Sequence, residues 1–132
     1  YRTLEPGGYL FVTVPCGQWL WGEIDMSLGH FRRYSTRTIN EVVSRSGFTP
    51  VKSRYLFLSL VLPAFILRAI PFRLGIQRSE QQVFETIQSE QSSNIVVNRT
   101  MKFVFSLESF ISKFMTLPYG LTVFVIAQKP KI

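Results

Sequence analysis

The run Tyr9 to Val14 is aromatic and β-branched, framed by Leu4-Glu5-Pro6-Gly7-Gly8 before it and Pro15 after it, and it constrains this chain more than any other feature. Such side chains fit a pleated, buried backbone, and the flanking proline and glycines end whatever precedes the strand and stop it at the far side. Its apolar character is nearly continuous rather than alternating. That predicts a central strand covered by helices on both faces of a parallel sheet. Two further strands follow from the same reasoning: Thr49 to Phe57, and Leu121 to Ala127, which is bounded by Pro118-Tyr119-Gly120 and Lys129-Pro130.

Helical signals separate the strands, so the class is α/β. Ser35 is a good N-cap for a helix through about Ser46, with Ile39, Val42 and Val43 on one face and Gly47 as a left-handed stop. The stretch Leu58 to Ile70 is apolar almost all round and is interrupted by Pro63, which predicts a buried helix or an apolar lid. A second stretch, Ile95 to Leu117, carries Met101, Val104, Phe105, Ile111, Phe114 and Met115 at helical spacing. Residues 77–94, rich in Gln, Ser and Glu, read as a polar mobile segment.

A chain of 132 residues with 46% apolar content can bury the core of one domain, over 1–132. Fifteen Lys and Arg against eight Asp and Glu give a formal charge of +7, a field that attracts phosphates, acidic lipid headgroups and anionic substrates. The basic residues are scattered, with Arg32, Arg33 and Arg37 the only tight cluster, so no nucleic-acid partner is expected. One cysteine, Cys16, excludes an internal disulfide, and with His30 the only imidazole no metal-ligand set is expected. A reducing, cytoplasmic setting fits this usage. There is no signal-peptide pattern, and the chain runs from Tyr1 almost directly into a Pro-Gly-Gly turn, as a piece of a longer protein would.

Between the first strand and the first helix, Cys16 to Tyr34 shows no periodicity but holds Trp19, Trp21, Asp25, His30, Arg32, Arg33 and Tyr34. Long loops with such side chains tend to carry function. At this point the chain resembles a known family. Leu4-Glu5-Pro6-Gly7-Gly8 followed by Tyr9 to Pro15 is similar to the turn and fifth strand of the class I S-adenosylmethionine-dependent methyltransferase sheet. Asp25-x-x-x-Gly29-His30-Phe31-Arg32-Arg33-Tyr34-Ser35, with the helix ending at Ser46-Gly47-Phe48, resembles the small-molecule branch of that family, and Leu117-Pro118-Tyr119-Gly120-Leu121 with Ala127-Gln128-Lys129-Pro130 resembles its last strand.

The resemblance implies the C-terminal half of a Rossmann-like, seven-stranded methyltransferase domain: strands five to seven with flanking helices, the last strand inserted antiparallel beside the fifth. It also implies S-adenosylmethionine as cofactor of the intact protein and a small acceptor, anionic or lipid-like. One part of the family pattern is missing. No glycine-rich turn follows a strand and no acidic residue ends one, so the cofactor-binding residues are unknown and this piece is expected to be inactive alone.

In open α/β sheets ligands sit beyond the carboxyl ends of the strands, which places the loop after Pro15 near the transferred methyl group. Methyl transfer is an in-line displacement, so the protein aligns the acceptor and, for a hydroxyl acceptor, removes a proton. His30 suits proton removal, because imidazole is the side chain that changes charge near neutral pH; equally, it can brace the loop by bonding to backbone. Arg32 and Arg33 can clamp an acceptor carboxylate or phosphate through their planar forks, or one of them can pair with Asp25 and hold the loop closed. Tyr34 is assigned either to the acceptor pocket or to the core, and Trp19 and Trp21 to an aromatic pocket wall or to plain packing.

A non-enzymatic alternative rests on charge and apolarity: a basic, apolar-faced module for peripheral membrane or partner-protein binding. The run Tyr55 to Ile70 is short for a membrane span and contains Pro63 and Arg68. Residues Arg68 to Arg78 nevertheless mix cationic and apolar groups as an interfacial helix does.

Overall fold

The computed structural model describes residues 2–76, 79, 81–83, 85, 88 and 95–131. Most of the predicted mobile segment 77–94 lies outside the described residues. The fold is mixed α/β, built on a small antiparallel sheet of β1 (Tyr9–Pro15), β2 (Thr49–Leu56) and β3 (Thr122–Gln128) in the order β1-β3-β2. The last strand therefore lies in the middle, antiparallel to both neighbours.

This corrects the expectation for the first strand. Among the described residues β1 is an edge strand, its burial alternates along its length, and Phe11 on its outer face is 64% exposed. The apolar run arises because β1 is apolar on both faces, whereas only one face is covered here. In the observed register Leu10, Val12 and Val14 lie opposite Ala127, Val125 and Val123, and this common face packs on Ile39 and Val43 of α2 (Thr36–Arg45) and on Phe48. Paired residues share a face because side chains alternate along each strand. On the other face Phe11 and Phe124 stack with ring centroids 6.2 Å apart, and Tyr9 is exposed.

Local chemistry sets the helix ends. The Ser35 hydroxyl accepts from the Thr38 amide at 3.2 Å while the Thr38 hydroxyl accepts from the Ser35 amide at 2.8 Å, so each satisfies a donor the helix leaves unpaired. Gly47 ends the helix at φ 88, a conformation that costs a side-chain-bearing residue energy. β2 stops at Leu56, one residue earlier than expected, because Phe57 turns left-handed at φ 61.

The predicted helix after β2 is a composite of α3 (Val61–Ala64), a wider π turn (Phe65–Ala69) and α4 (Ile70–Arg73). It is not a buried helix: Ala64 and Ala69 are buried, whereas Leu62, Ile66 and Leu67 are exposed. The long helix α5 (Ile95–Phe114) ends three residues before the expected Leu117. Among the described residues no helix is long and apolar enough to cross a membrane.

Candidate functional site

β1 ends at Pro15, and the chain leaves the sheet at Cys16 only to return: the Tyr34 amide donates to the Pro15 carbonyl at 2.8 Å and the Gly17 amide donates to the Tyr34 carbonyl at 3.1 Å. Residues 17–33 are thereby tied off at the rim where β1 and β2 finish and β3 begins. Inside the loop, α1 (Glu23–Ser27) presents Asp25 in its first turn, where the Asp25 carboxylate accepts from the Gly22 amide at 3.0 Å. A carboxylate there complements the unpaired amides of the helix start.

Asp25 is only 2% exposed. Arg33 meets it with a parallel fork, Nε to Oδ1 at 2.9 Å and Nη2 to Oδ2 at 3.0 Å, and spends a further N–H on the Cys16 carbonyl at 3.0 Å. Burial of both charges is tolerable because each is paired and hydrogen-bonded in the bidentate geometry that suits guanidinium and carboxylate. His30 Nδ1 lies 3.3 Å from Asp25 Oδ1, and the His30 amide donates to the Asp25 carbonyl at 2.8 Å. The tautomer that bonds to this carboxylate is the one with its proton on Nδ1, which keeps the lone pair of Nε2. The His30 side chain is 37% exposed, whereas those of Asp25 and Arg33 are buried. The loop thus holds an imidazole against a buried ion pair at the rim.

The two adjacent arginines differ in environment. Arg32 is exposed, donates from Nε to the Tyr34 hydroxyl at 2.9 Å and lies over the Tyr34 ring at 4.8 Å from its centroid. Tyr34 itself is half-buried and packs at the margin of the core. Phe31, between His30 and Arg32, is 97% exposed.

Trp19 stands apart from the His30 cluster, in an aromatic row. Its indole N–H donates to the Tyr119 hydroxyl at 2.5 Å, its ring meets Phe65 edge-on at 5.1 Å, and Tyr119 stacks on Tyr55 at 5.6 Å. Trp21 is half-buried in the same loop. Burial pushes the Tyr119 hydroxyl from 10.0 up to about 12 and likewise raises the Cys16 thiol, which shares a hydrogen bond with Tyr119. Sequence reasoning missed Tyr119, treating it only as part of the turn before β3. The one available signal was its place between Pro118 and Gly120, and nothing local tells that such a turn reaches Trp19.

Gly17 has φ 74, and a Cβ there would overlap the Tyr119 hydroxyl, so the space beside this glycine is filled by the protein itself. A second concavity, an open groove of about 510 Å³ along β2, is lined by Asn40, Ser53, Arg54 and Tyr55 among others, and none of the predicted site residues lines it. Among the described residues no three His, Cys, Asp or Glu side chains are grouped to hold a metal. The chain matches no protein family, no curated protein and no solved structure.

Proposed function

We propose that this chain supplies the acceptor-binding edge of an S-adenosylmethionine-dependent methyltransferase whose substrate is a small, anionic or lipid-like molecule. The observation that carries the reading is the Asp25 to Tyr34 loop, tied to the end of β1 with half-exposed His30 braced on the buried Asp25–Arg33 pair. The last strand lies antiparallel beside β1, as the family resemblance implies for the seventh strand beside the fifth, and this supports the reading. A single, buried Cys16 suits a cytoplasmic setting for the proposed enzyme.

The described residues do not fit the cofactor itself. No glycine-rich turn opens a helix after a strand, β1 and β2 end in Pro15 and Leu56 rather than in a carboxylate, and Tyr119 fills the space beside Gly17. What this chain's own residues do is orient an acceptor and move its proton. His30 Nε2 accepts that proton, Asp25 fixes the ring and compensates the imidazolium that forms, and Arg32 attracts an anionic group on the acceptor. Arg33 holds the carboxylate in place and is a positioning residue.

The test uses the product of the complete gene: titration calorimetry with S-adenosylmethionine, followed by labelled methyl transfer to candidate anionic acceptors. Binding followed by transfer is expected, with His30→Ala lowering kcat by about 10²- to 10⁴-fold, the usual worth of a positioned general base. Failure of the complete product to bind the cofactor overturns the reading. A His30→Ala enzyme with unchanged turnover removes only the proton-transfer role.

A further inference from the structure

The long helix α5 is docked by one face only. Met101, Val104, Phe105, Glu108 and Ser112 are half-buried on that side. Phe105 meets Phe57 edge-on at 5.3 Å, Glu108 accepts from the Leu58 and Ser59 amides at 2.9 and 3.0 Å, and the Ser112 carbonyl accepts from Arg54 at 2.9 Å. Among the described residues these polar bonds and the Phe57–Phe105 contact join the helix to the fold, and this side is not its most apolar one.

The opposite side carries Val96, Phe103, Leu107, Phe110 and Phe114, at steps of seven, four, three and four residues, so they form a single stripe along the helix. All five are exposed, Phe103 at 70% and Phe114 at 76%. Large apolar side chains gathered in one stripe on the side away from the fold mark an interaction surface, where scattered ones would not. Charge says what covers it. Arg99, Lys102 and Lys113 flank the stripe and are exposed, while the only carboxylate of α5, Glu108, is turned inward and engaged by Leu58 and Ser59.

We infer that α5 is an interfacial membrane anchor that lies in the plane of an anionic lipid surface, its Phe and Leu stripe among the acyl chains and its Arg99, Lys102 and Lys113 on the headgroups. An aromatic and aliphatic face bordered by cations, on a helix unable to span the bilayer, is the pattern such anchors share. A second copy of the chain fits less well, because it would bring the same cations against one another, whereas phosphate headgroups complement them. The net charge of +7 draws the whole molecule to the same surface. This inference is independent of the methyl-transfer reading, since none of the loop residues takes part.

The test is co-sedimentation of the chain with vesicles of equimolar phosphatidylcholine and phosphatidylserine, against pure phosphatidylcholine, in low and high salt. Salt-sensitive binding to the anionic vesicles is expected, at least tenfold weaker in Lys102→Glu/Lys113→Glu and in Phe103→Ser/Phe110→Ser. These positions are exposed, so both variants should keep the parent's circular dichroism; a third, Arg45→Glu, alters an exposed cation away from α5 and should reduce binding by less than threefold. The inference fails if neither vesicle binds, or if Phe103→Ser/Phe110→Ser binds like the parent. It also fails if light scattering shows a lipid-free dimer that Phe103→Ser disperses, which would make the stripe an interface between copies.

Discussion

Asp25 is a carboxylate withdrawn from water, and its place depends on what surrounds it. Removing one member of a buried ion pair leaves the other charged and unsolvated, at a cost of about 3–5 kcal/mol. Asp25→Ala is therefore expected to lower stability by about that amount in urea titration, while His30→Ala, at a half-exposed position, changes it by less than about 1 kcal/mol. A mild effect of Asp25→Ala would mean the pair with Arg33 does not hold the loop. Alkaline behaviour follows from Tyr119 and Cys16, both raised by burial. Groups raised in the fold contribute stability that is complete below their unfolded values and declines as pH rises. For Tyr119 that window runs from 10.0 to about 12. The urea midpoint should fall across it, and Tyr119→Phe, though less stable at neutral pH for want of the Trp19 bond, should show a shallower fall.

At the scale of elements, Glu108 is the latch between α5 and the turn that follows β2. Burial pushes its carboxyl up, but hydrogen bonds from the Ser59 amide and hydroxyl and from the Leu58 amide outweigh this and leave it below the usual carboxylate range. A lowered acid contributes stability that is present above its unfolded value near 4.5 and lost as pH falls through its folded one. Glu108→Gln should lower the protection of α5 amides against hydrogen exchange at neutral pH with β3 unaffected, and on acidification the parent's protection, corrected for the intrinsic rate at each pH, should approach that of the variant. Equal acceleration in β3 would show that the helix and sheet open together. The helix also shows the limit of periodicity. Its apolar spacing predicted a helix over Ile95 to Leu117, but not that Val104 and Phe105 would face the fold and Phe103 and Phe110 the solvent, since apolar residues occur on both sides.

Across the whole molecule, β3 is covered on both edges, while the outer edge of β1 is unpaired among the described residues and Tyr9 and Phe11 stand exposed beside it. Unpaired edges with apolar side chains promote association. Phe11→Lys is expected to change stability by no more than about 0.5 kcal/mol while reducing concentration-dependent light scattering, because it places a charge on an exposed face. A large loss of stability would instead make Phe11 part of the core.

The sequence by itself determined what short-range chemistry can specify: strands at Tyr9 to Val14 and Leu121 to Ala127, each within one residue of the observed ends, the Ser35 cap, the Gly47 stop, and a loop in which Asp25, His30 and Arg33 stand close enough to meet. Each rests on propensity, capping or a few bonds between near neighbours. Only the tertiary structure decided that β3 lies between β1 and β2, that Arg33 is buried while Arg32 faces solvent, and that Tyr119 closes on Trp19 from 100 positions away. Those outcomes depend on which apolar faces find one another, and a strand apolar on both faces, such as β1, does not record which of them will be covered.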